Sequence, residues 1–173
     1  FRILRSLYNG IIIAKIIRKL KIDLVHTNIE LVADGAIAAF FANKKHIWHI
    51  RAPVGPSGVV THPLGHRFAC SVINLFSSLV IVNSVKTMNT IENYIPLHKI
   101  NLVYNGVSVD IFNNAKNKSI LKNQFNTKQT DKIIAAIGYV SHIKGAVEFV
   151  EVANLVIKQI NNVKFVFIGF SHD

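Results

Sequence analysis

The stretch KIIAAIGYVSHIKGAVEFVEVANLV, residues 132–156, begins as a short apolar run and continues with helical periodicity. The run ends on Gly138 and is typical of a strand buried in a sheet. Beyond it, one apolar face recurs at helical spacing and comprises Ala146, Phe149, Val150, Ala153, Val156 and Ile160. The segment therefore predicts a strand followed by a helix, with Lys144 and Gly145 at the junction.

The same alternation extends outward over the whole chain. Six apolar runs are separated by segments of helical character: DLVH (23–26), HIWHI (46–50), LVIVN (79–83), INLVY (100–104), KIIAAIG (132–138) and KFVFIG (164–169). Short apolar strands that alternate with helices are typical of parallel sheets covered on both faces. The predicted fold class is therefore α/β with Rossmann-like parallel sheets.

One polar segment rich in Asn and Lys, Asn113 to Lys132, interrupts this alternation and predicts a domain boundary. Four of the apolar runs precede it and two follow it. A doubly wound unit usually has about five or six strands, so both domains are expected to be incomplete. The predicted domains are residues 1–112 and 132–173, with a linker over residues 113–131.

Composition limits the partners that the protein can have. The 173 residues are 50% hydrophobic and carry a formal net charge of +11, from 20 basic and nine acidic residues. Such a charge favours nucleic acid, an anionic membrane surface or phosphorylated substrates as partners. The sequence has no signature of specific nucleic-acid recognition. The single cysteine, Cys70, is interpreted as a buried structural residue in a protein of a reducing, cytoplasmic compartment.

The first 21 residues hold six basic residues and no acidic one. They predict an amphipathic helix whose apolar run, GIIIAKII (10–17), is interrupted by Lys15 and is much too short to cross a bilayer. Its apolar face would hold Ile13, Ile16, Ile17 and Leu20, and its outward face Lys15, Arg18 and Lys19. The basic face is interpreted either as an ordinary solvated surface or as a peripheral contact with an anionic membrane.

Ligands of open parallel sheets bind beyond the carboxyl ends of the strands. Polar or turn-forming residues at the predicted strand ends are His26, Thr27, Asn28, His49, Arg51, Asn83, Ser84, Asn105 and Gly106, together with the segment from Gly138 to Gly145. Ser84 also has a structural interpretation as a helix N-cap, and Asn105 with Gly106 as a turn. His49 and Arg51 are poor turn residues, so we expect them to face a cleft, although a structural histidine is the alternative.

The Lys144–Gly145 pair has two interpretations. A helix that begins at this junction points backbone N–H groups and the positive end of its dipole toward the strand ends, where an anion is favoured. Lysine adds a mobile charge suited to phosphate, and Gly145 permits close approach. The alternative is a purely structural junction, because both residues are common near helix ends.

The motifs together resemble those of retaining GT-B glycosyltransferases of family 4. IGYVSHIKGAVEFVEVANLV resembles the family's strand, Gly-Arg, loop, Lys-Gly and helix. Four further motifs match in the family's order: KIDLVHTN (21–28), IWHIRAP (47–53), VIVNSVKTMNTI (80–91) and INLVYNGVSVDIF (100–112). The resemblance covers essentially the whole chain.

The resemblance implies an enzyme of two Rossmann-like domains that transfers a sugar from a nucleotide-sugar donor to the hydroxyl of a sugar or lipid-linked acceptor. It implies no metal and no cofactor, and a role in making cell-surface polysaccharide or glycolipid. Carried over, Lys144 with Gly138 and Gly145 would bind the donor diphosphate, and His49 would be the catalytic residue. Two positions depart from the family: Tyr139 replaces its phosphate-binding arginine, and Asn28 replaces a histidine.

Intact family members have further strands at the beginning and a pair of glutamates toward the end. We therefore expect the chain to be an internal fragment spanning the domain crossover, inactive by itself, with the end of the acceptor-side domain and the start of the donor-binding domain. Two alternatives remain open. One is a GT-B sugar-nucleotide epimerase, and the other is a non-catalytic basic module that binds nucleic acid or anionic membrane.

Overall fold

The computed structural model describes residues 2–55, 64–110, 124–125, 127–128 and 130–170. The chain divides into two compact units, unit 1 (Phe1–Val107) and unit 2 (Ser108–Asp173). Unit 1 contains α1 (Arg2–Lys19), β1 (Leu24–Asn28), α2 (Asp34–Ala42), β2 (Lys45–Ile50), α3 (His66–Phe76), β3 (Leu79–Val82), α4 (Val85–Asn89), the 3-10 turn Leu97–Lys99 and β4 (Ile100–Leu102). Unit 2 contains β5 (Lys132–Ile137), the 3-10 turn His142–Lys144, α5 (Ala146–Ile157) and β6 (Val163–Ile168).

All strands of the described chain pair in parallel. Unit 1 has a four-stranded sheet in the order β1-β2-β3-β4, and unit 2 pairs β5 with β6. Each of the six apolar runs in the sequence forms one of these strands. The predicted α/β class with parallel sheets is therefore confirmed.

The buried core of unit 1 lies against one face of its sheet. Trp48, Ile50, Val80 and Val82 are at most 2% exposed and pack with residues of α2 and α3. Because side chains alternate along a strand, His49 and its neighbours of the same parity lie on the other face. That face contributes no residue to the buried clusters of the described chain. The prediction that helices cover both faces is therefore wrong for the described part of unit 1.

Helix α1 packs on α2 through small residues. A Cβ at Gly10 would overlap the side chain of Ile37, so the glycine allows the two helices to approach closely. The buried face of α1 is Gly10, Ala14 and Ile17. The predicted apolar face is wrong in two positions, since Ile16 and Leu20 are 49% and 62% exposed. The buried face turned toward the small residues because they permit the closest helix contact.

The basic residues of α1 lie outward as predicted. Lys15, Arg18 and Lys19 are all exposed, and the Arg18 guanidinium donates to the carbonyl of Phe41 in α2. No helix within the described ranges is both long and apolar enough to span a membrane.

Unit 2 has a small core formed by α5 and its two strands. The ring of Phe149 makes edge contacts with Phe165 and Phe167, at centroid distances of 5.5 and 5.7 Å. The predicted stripe is half-buried at Phe149 and at Ala146, Ala153 and Val156. It is wrong at Val150 and Ile160, which are 65% and 45% exposed.

The predicted linker, residues 113–131, lies largely outside the described residues, so it stays a prediction. The units divide between Val107 and Ser108, a few residues before the predicted end of the first domain at residue 112. Asn105 and Gly106 lie in an irregular segment after β4 and form no turn, which corrects that prediction. The open backbone there leaves the Asn105 side chain exposed.

Candidate functional site

Arg51 joins strand ends at the carboxyl edge of the unit 1 sheet. Its Nε donates to Asn28 Oδ1 at 2.8 Å, and its Nη1 donates to Asn105 Oδ1 at 2.7 Å. Asn28 is the last residue of β1, and Asn105 follows β4. The guanidinium therefore connects the two outer strands of the sheet across its edge.

The backbone of Arg51 is fixed as well. Its N–H donates to Glu30 Oε2 at 3.1 Å, and its carbonyl accepts a hydrogen bond from Asn83 Nδ2 at 3.0 Å. Asn83 directly follows β3, so the Arg51 network reaches the ends of all four strands. Glu30 was not among the residues predicted from the sequence. The signal for it is an acid only two residues beyond a predicted strand end.

His49 lies beside this network on the same strand. Its ring stacks on that of His26, with centroids 5.7 Å apart and planes 10° apart. Its Nε2 atom is buried without a hydrogen-bond partner among the described residues. Burial is the largest cause that lowers the pKa of His49, followed by the positive charge of Arg51 and by His26. A neutral imidazole with an unused nitrogen can exchange a proton with a bound hydroxyl group.

The structure thus brings together most of the unit 1 candidates. His26, Asn28, His49, Arg51 and Asn105 lie at one sheet edge, and both His49 and Arg51 are directed away from the buried cluster. Ser84 instead takes its structural role, because its Oγ accepts the Thr87 N–H at 3.1 Å as the N-cap of α4. Gly106 makes no close approach to the described residues.

The unit 2 candidates lie between β5 and α5. The carbonyl of Ser141 accepts hydrogen bonds from the N–H groups of Lys144 and Ala146, at 3.1 and 3.2 Å. Gly145 has φ +72° and accepts the Phe149 N–H at 2.9 Å, so a left-handed residue starts the helix. The Lys144 side chain is exposed, and no hydrogen bond holds its ammonium within the described chain.

Gly138 directly follows β5 and lies beside an open, apolar hollow of about 410 Å³. Its lining residues are Ile137, Gly138, Tyr139, Ile168, Gly169 and Phe170. A Cβ at Gly169 would overlap the carbonyl of Gly138, so the two strand ends need glycine to approach this closely. Tyr139 gives the hollow an aromatic wall at the position where the resemblance had led us to look for an arginine.

Two buried titratable groups, His46 and Cys70, have structural roles in the core of unit 1. His46 Nδ1 donates to the Phe76 carbonyl at 3.0 Å, so its Nε2 accepts the Thr27 hydroxyl hydrogen at 2.8 Å. Desolvation lowers the pKa of His46 and raises that of Cys70 to about 11. A thiol with that pKa is a poor nucleophile at neutral pH, which agrees with the structural interpretation of Cys70. Across the ranges that the structure describes, no three His, Cys, Asp or Glu side chains cluster as metal ligands.

No protein-family model matches the sequence, and a search of curated proteins found no relative. Solved structures do resemble the chain. Alr3699/HepE from Anabaena, crystallised with UDP and glucose, is 21% identical with a TM-score of 0.76, and the match covers 92% of this chain and 43% of HepE. A glycosyltransferase from Rickettsia africae is 20% identical with a TM-score of 0.65, covering 97% of this chain and 51% of that one.

A third similar structure is a mutant of TarM from Staphylococcus aureus in complex with UDP and two other ligands. It is 18% identical with a TM-score of 0.58, covering 92% of this chain and 31% of TarM. The chain has the GT-B fold. The chain spans about half or less of the length of each of these three proteins. Similarity at this level of identity shows the fold, and the activity is a matter for proposal.

Proposed function

We propose that the protein is a glycosyltransferase that moves a sugar from a nucleotide-diphosphate donor to an acceptor hydroxyl. The observation that carries this proposal is the position of Lys144 in a GT-B fold, exposed at the turn that starts α5. Solved structures of the same fold, HepE among them, were crystallised with UDP and UDP-glucose.

The turn offers an anion several donors. Helix α5 has no side-chain N-cap, and the N–H groups of Val147 and Glu148 have no acceptor outside the helix in the described chain. They lie at the positive end of the helix dipole, and the exposed residue Lys144 lies in the turn directly before the helix. Gly138 and Gly145 keep the backbone open on either side. We propose that Lys144, Gly138 and Gly145 bind the donor diphosphate. Tyr139 is proposed to contact the donor without adding charge.

Unit 1 is proposed as the acceptor side. His49, half-buried and with a lowered pKa, is proposed as the catalytic residue that faces the acceptor hydroxyl. In this proposal, residues 1–112 form the end of an acceptor-side domain and residues 132–173 the start of a donor-binding domain. Retention of configuration, membership of family 4, transfer of a hexose without a cofactor, and a role in polysaccharide or glycolipid synthesis are parts of the same proposal.

UDP binding to the chain tests the donor site directly. We expect the backbone amide resonances of Gly145 through Phe149 to shift on addition of UDP, and Lys144→Met to weaken that binding by about tenfold, as expected for loss of one charge-assisted contact. Lys158→Met is the matched control, because Lys158 is an exposed lysine at the other end of α5. Equal UDP affinity in the wild type and Lys144→Met would contradict the donor site.

Transfer itself is tested in the full-length protein with UDP-sugars and hydroxyl acceptors. Product analysis separates transfer from epimerisation of the donor sugar, which is the alternative reaction for a GT-B protein.

We propose that the protein is cytoplasmic and that it contacts an anionic membrane through α1. The support is the exposure of Lys15 and Lys19 next to the exposed apolar residues Ile12, Ile16 and Leu20.

A further inference from the structure

Nitrogen-bearing side chains meet at the carboxyl edge of the unit 1 sheet without an anionic partner in the described chain. Among the residues that the structure describes, the Arg51 guanidinium donates hydrogen bonds only to the neutral amide oxygens of Asn28 and Asn105. The nearby acid, Glu30, accepts the backbone N–H of Arg51 with one carboxylate oxygen, and no hydrogen bond joins it to the guanidinium among the described residues. Within the described chain, the guanidinium is therefore held in place by neutral oxygens and makes no ion pair.

The fixed guanidinium keeps unused donors. Its Nε–H and one Nη1–H are occupied, so its other N–H groups have no acceptor among the residues that the structure describes. A guanidinium presents its donors as a rigid planar fork that matches the oxygens of phosphate or carboxylate. Asn28 and Asn105 already hold the Arg51 side chain, so binding of an oxyanion would cost little additional conformational entropy.

The adjacent imidazoles add a second, independent observation. His49 and Arg51 lie two residues apart and so project to the same side of the chain as it leaves β2. The Nε2 atom of His49 is buried and unpartnered in the described structure, and its ring stacks on that of His26. An unpaired buried polar atom costs free energy unless a ligand satisfies it.

We propose that Arg51, His49 and His26 form a binding site for an oxyanion group, phosphate or carboxylate, on the ligand of unit 1. Only in naming that ligand as the sugar acceptor does the inference rest on the proposed function. The guanidinium donates to the oxyanion, and His49 donates from Nε2 once it is protonated.

Bound anion and bound proton should reinforce each other. The titratable and charged groups at the site are His26, His49, Arg51 and Glu30. Burial is the largest cause that lowers the pKa of His49, and Arg51 and His26 lower it further. A bound oxyanion stabilises the protonated form of His49 and so raises the pKa of His49. The affinity for the anion therefore increases as the pH falls through the range in which His49 takes up its proton.

Proton NMR of the imidazole C2–H resonances tests the site with inorganic phosphate and acetate as separate probes. We expect saturable shifts of the His26 and His49 resonances and a higher pKa of His49 at saturating anion. Phosphate acting alone points to a phosphorylated ligand, and acetate acting equally well points to a carboxylate. Chloride at matched ionic strength is the screening control, and shifts that chloride reproduces would overturn the proposal.

Arg51→Met should weaken phosphate binding by at least about tenfold, since a charged fork is lost. Arg51→Lys keeps the positive charge but lacks the planar fork of donors. Its phosphate affinity should therefore lie between those of the wild type and Arg51→Met. Lys45→Met is the matched control, because Lys45 is exposed at the other end of β2. The fluorescence of Trp48 reports whether each variant folds, and if Arg51→Met does not fold, Arg51→Lys decides. Wild-type phosphate affinity in the deciding variant would overturn the site.

These outcomes are separate from those of the donor site. No sugar donor is present, so a failure of UDP to bind at Lys144 leaves the phosphate result unchanged. Conversely, loss of the phosphate effect leaves the proposed transfer reaction in place and removes only the oxyanion site.

Discussion

The ring of His26 stacks on the ring of His49 across the β1–β2 pair, with 5.7 Å between centroids and 10° between planes. These residues are 23 positions apart in the sequence, and the parallel register that pairs Asn28 with His49 brings them together. His26 is one of the causes that lower the pKa of His49, after burial and the positive charge of Arg51. The charge state of this sheet edge therefore depends on pH.

The first prediction concerns the pH dependence of stability. The pKa values of His46 and His49 are lowered from the ordinary 6.5, mainly by burial. Below pH 6.5 the unfolded state takes up protons that the folded state does not, so the free energy of unfolding should fall as the pH decreases from 6.5 toward the lowered pKa values. Urea unfolding followed by Trp48, the single tryptophan and 2% exposed, measures this in unit 1.

Replacing both histidines by glutamine should flatten this dependence, whatever it does to stability at neutral pH. His98→Gln, at an exposed histidine in the 3-10 turn before β4, should leave the dependence as in the wild type. An equally steep loss of stability in the double variant would show that other groups cause it.

The second prediction concerns the contact between α2 and β1. A Cβ at Gly35 would overlap Thr27 Oγ1, the hydroxyl that donates to buried His46. Gly35→Ala should therefore lower the free energy of unfolding by about 1–3 kcal/mol, as overpacking of a well-filled core does. Gly106→Ala is the matched control, because nothing lies within 4 Å of a Cβ there. Equal unfolding midpoints for the two variants would contradict the packing argument.

The third prediction concerns the start of α5. Gly145 has φ +72°, and a Cβ there would meet only Glu148 Oε2 at 3.7 Å, so any cost of Gly145→Ala comes from the backbone and not from crowding. A left-handed conformation costs a residue with a Cβ roughly 1 kcal/mol. Hydrogen exchange of the Ala146 and Phe149 amides, which donate to the carbonyls of Ser141 and Gly145, should accelerate accordingly. Exchange as slow as in the wild type would refute the assignment.

The fourth prediction concerns turnover. If Lys144 stabilises the charge that grows on the donor diphosphate as the sugar leaves, Lys144→Ala in the full-length protein should lower kcat by roughly 10²-fold and also weaken donor binding. Steady-state kinetics measure both quantities. A raised KM with an unchanged kcat would limit Lys144 to ground-state binding.

The fifth prediction concerns α1. Replacing Lys15 and Lys19 by glutamine should weaken binding to anionic vesicles at low salt, by on the order of 1 kcal/mol per lysine. The matched pair is Lys132 and Lys158, which are exposed in unit 2. Co-sedimentation with vesicles measures the partition, and equal partition of the two double variants would exclude a specific role for α1.

The sequence by itself determined the six strands and their class. Continuous apolar runs such as LVIV and KIIAAI have few alternatives to a parallel strand, because they are too short for helices. The strand formed by LVIV is buried or half-buried as predicted, whereas the strand formed by KIIAAI is largely exposed, which corrects the prediction of a buried strand there. It also determined that Lys144 and Gly145 precede a helix, since the stripe through Phe149 begins immediately after them. These features are local, so the residues that specify them are neighbours in the chain.

Only the tertiary structure decided which side chains meet. Arg51 and Asn105 are 54 positions apart, and their contact exists because parallel strands bring their carboxyl ends to one edge. The buried face of α1 likewise followed from Gly10 and Ala14 at a close helix contact and not from the larger Ile16 and Leu20. Periodicity gives the spacing of apolar residues along a helix, but the neighbouring helix determines which of them are buried.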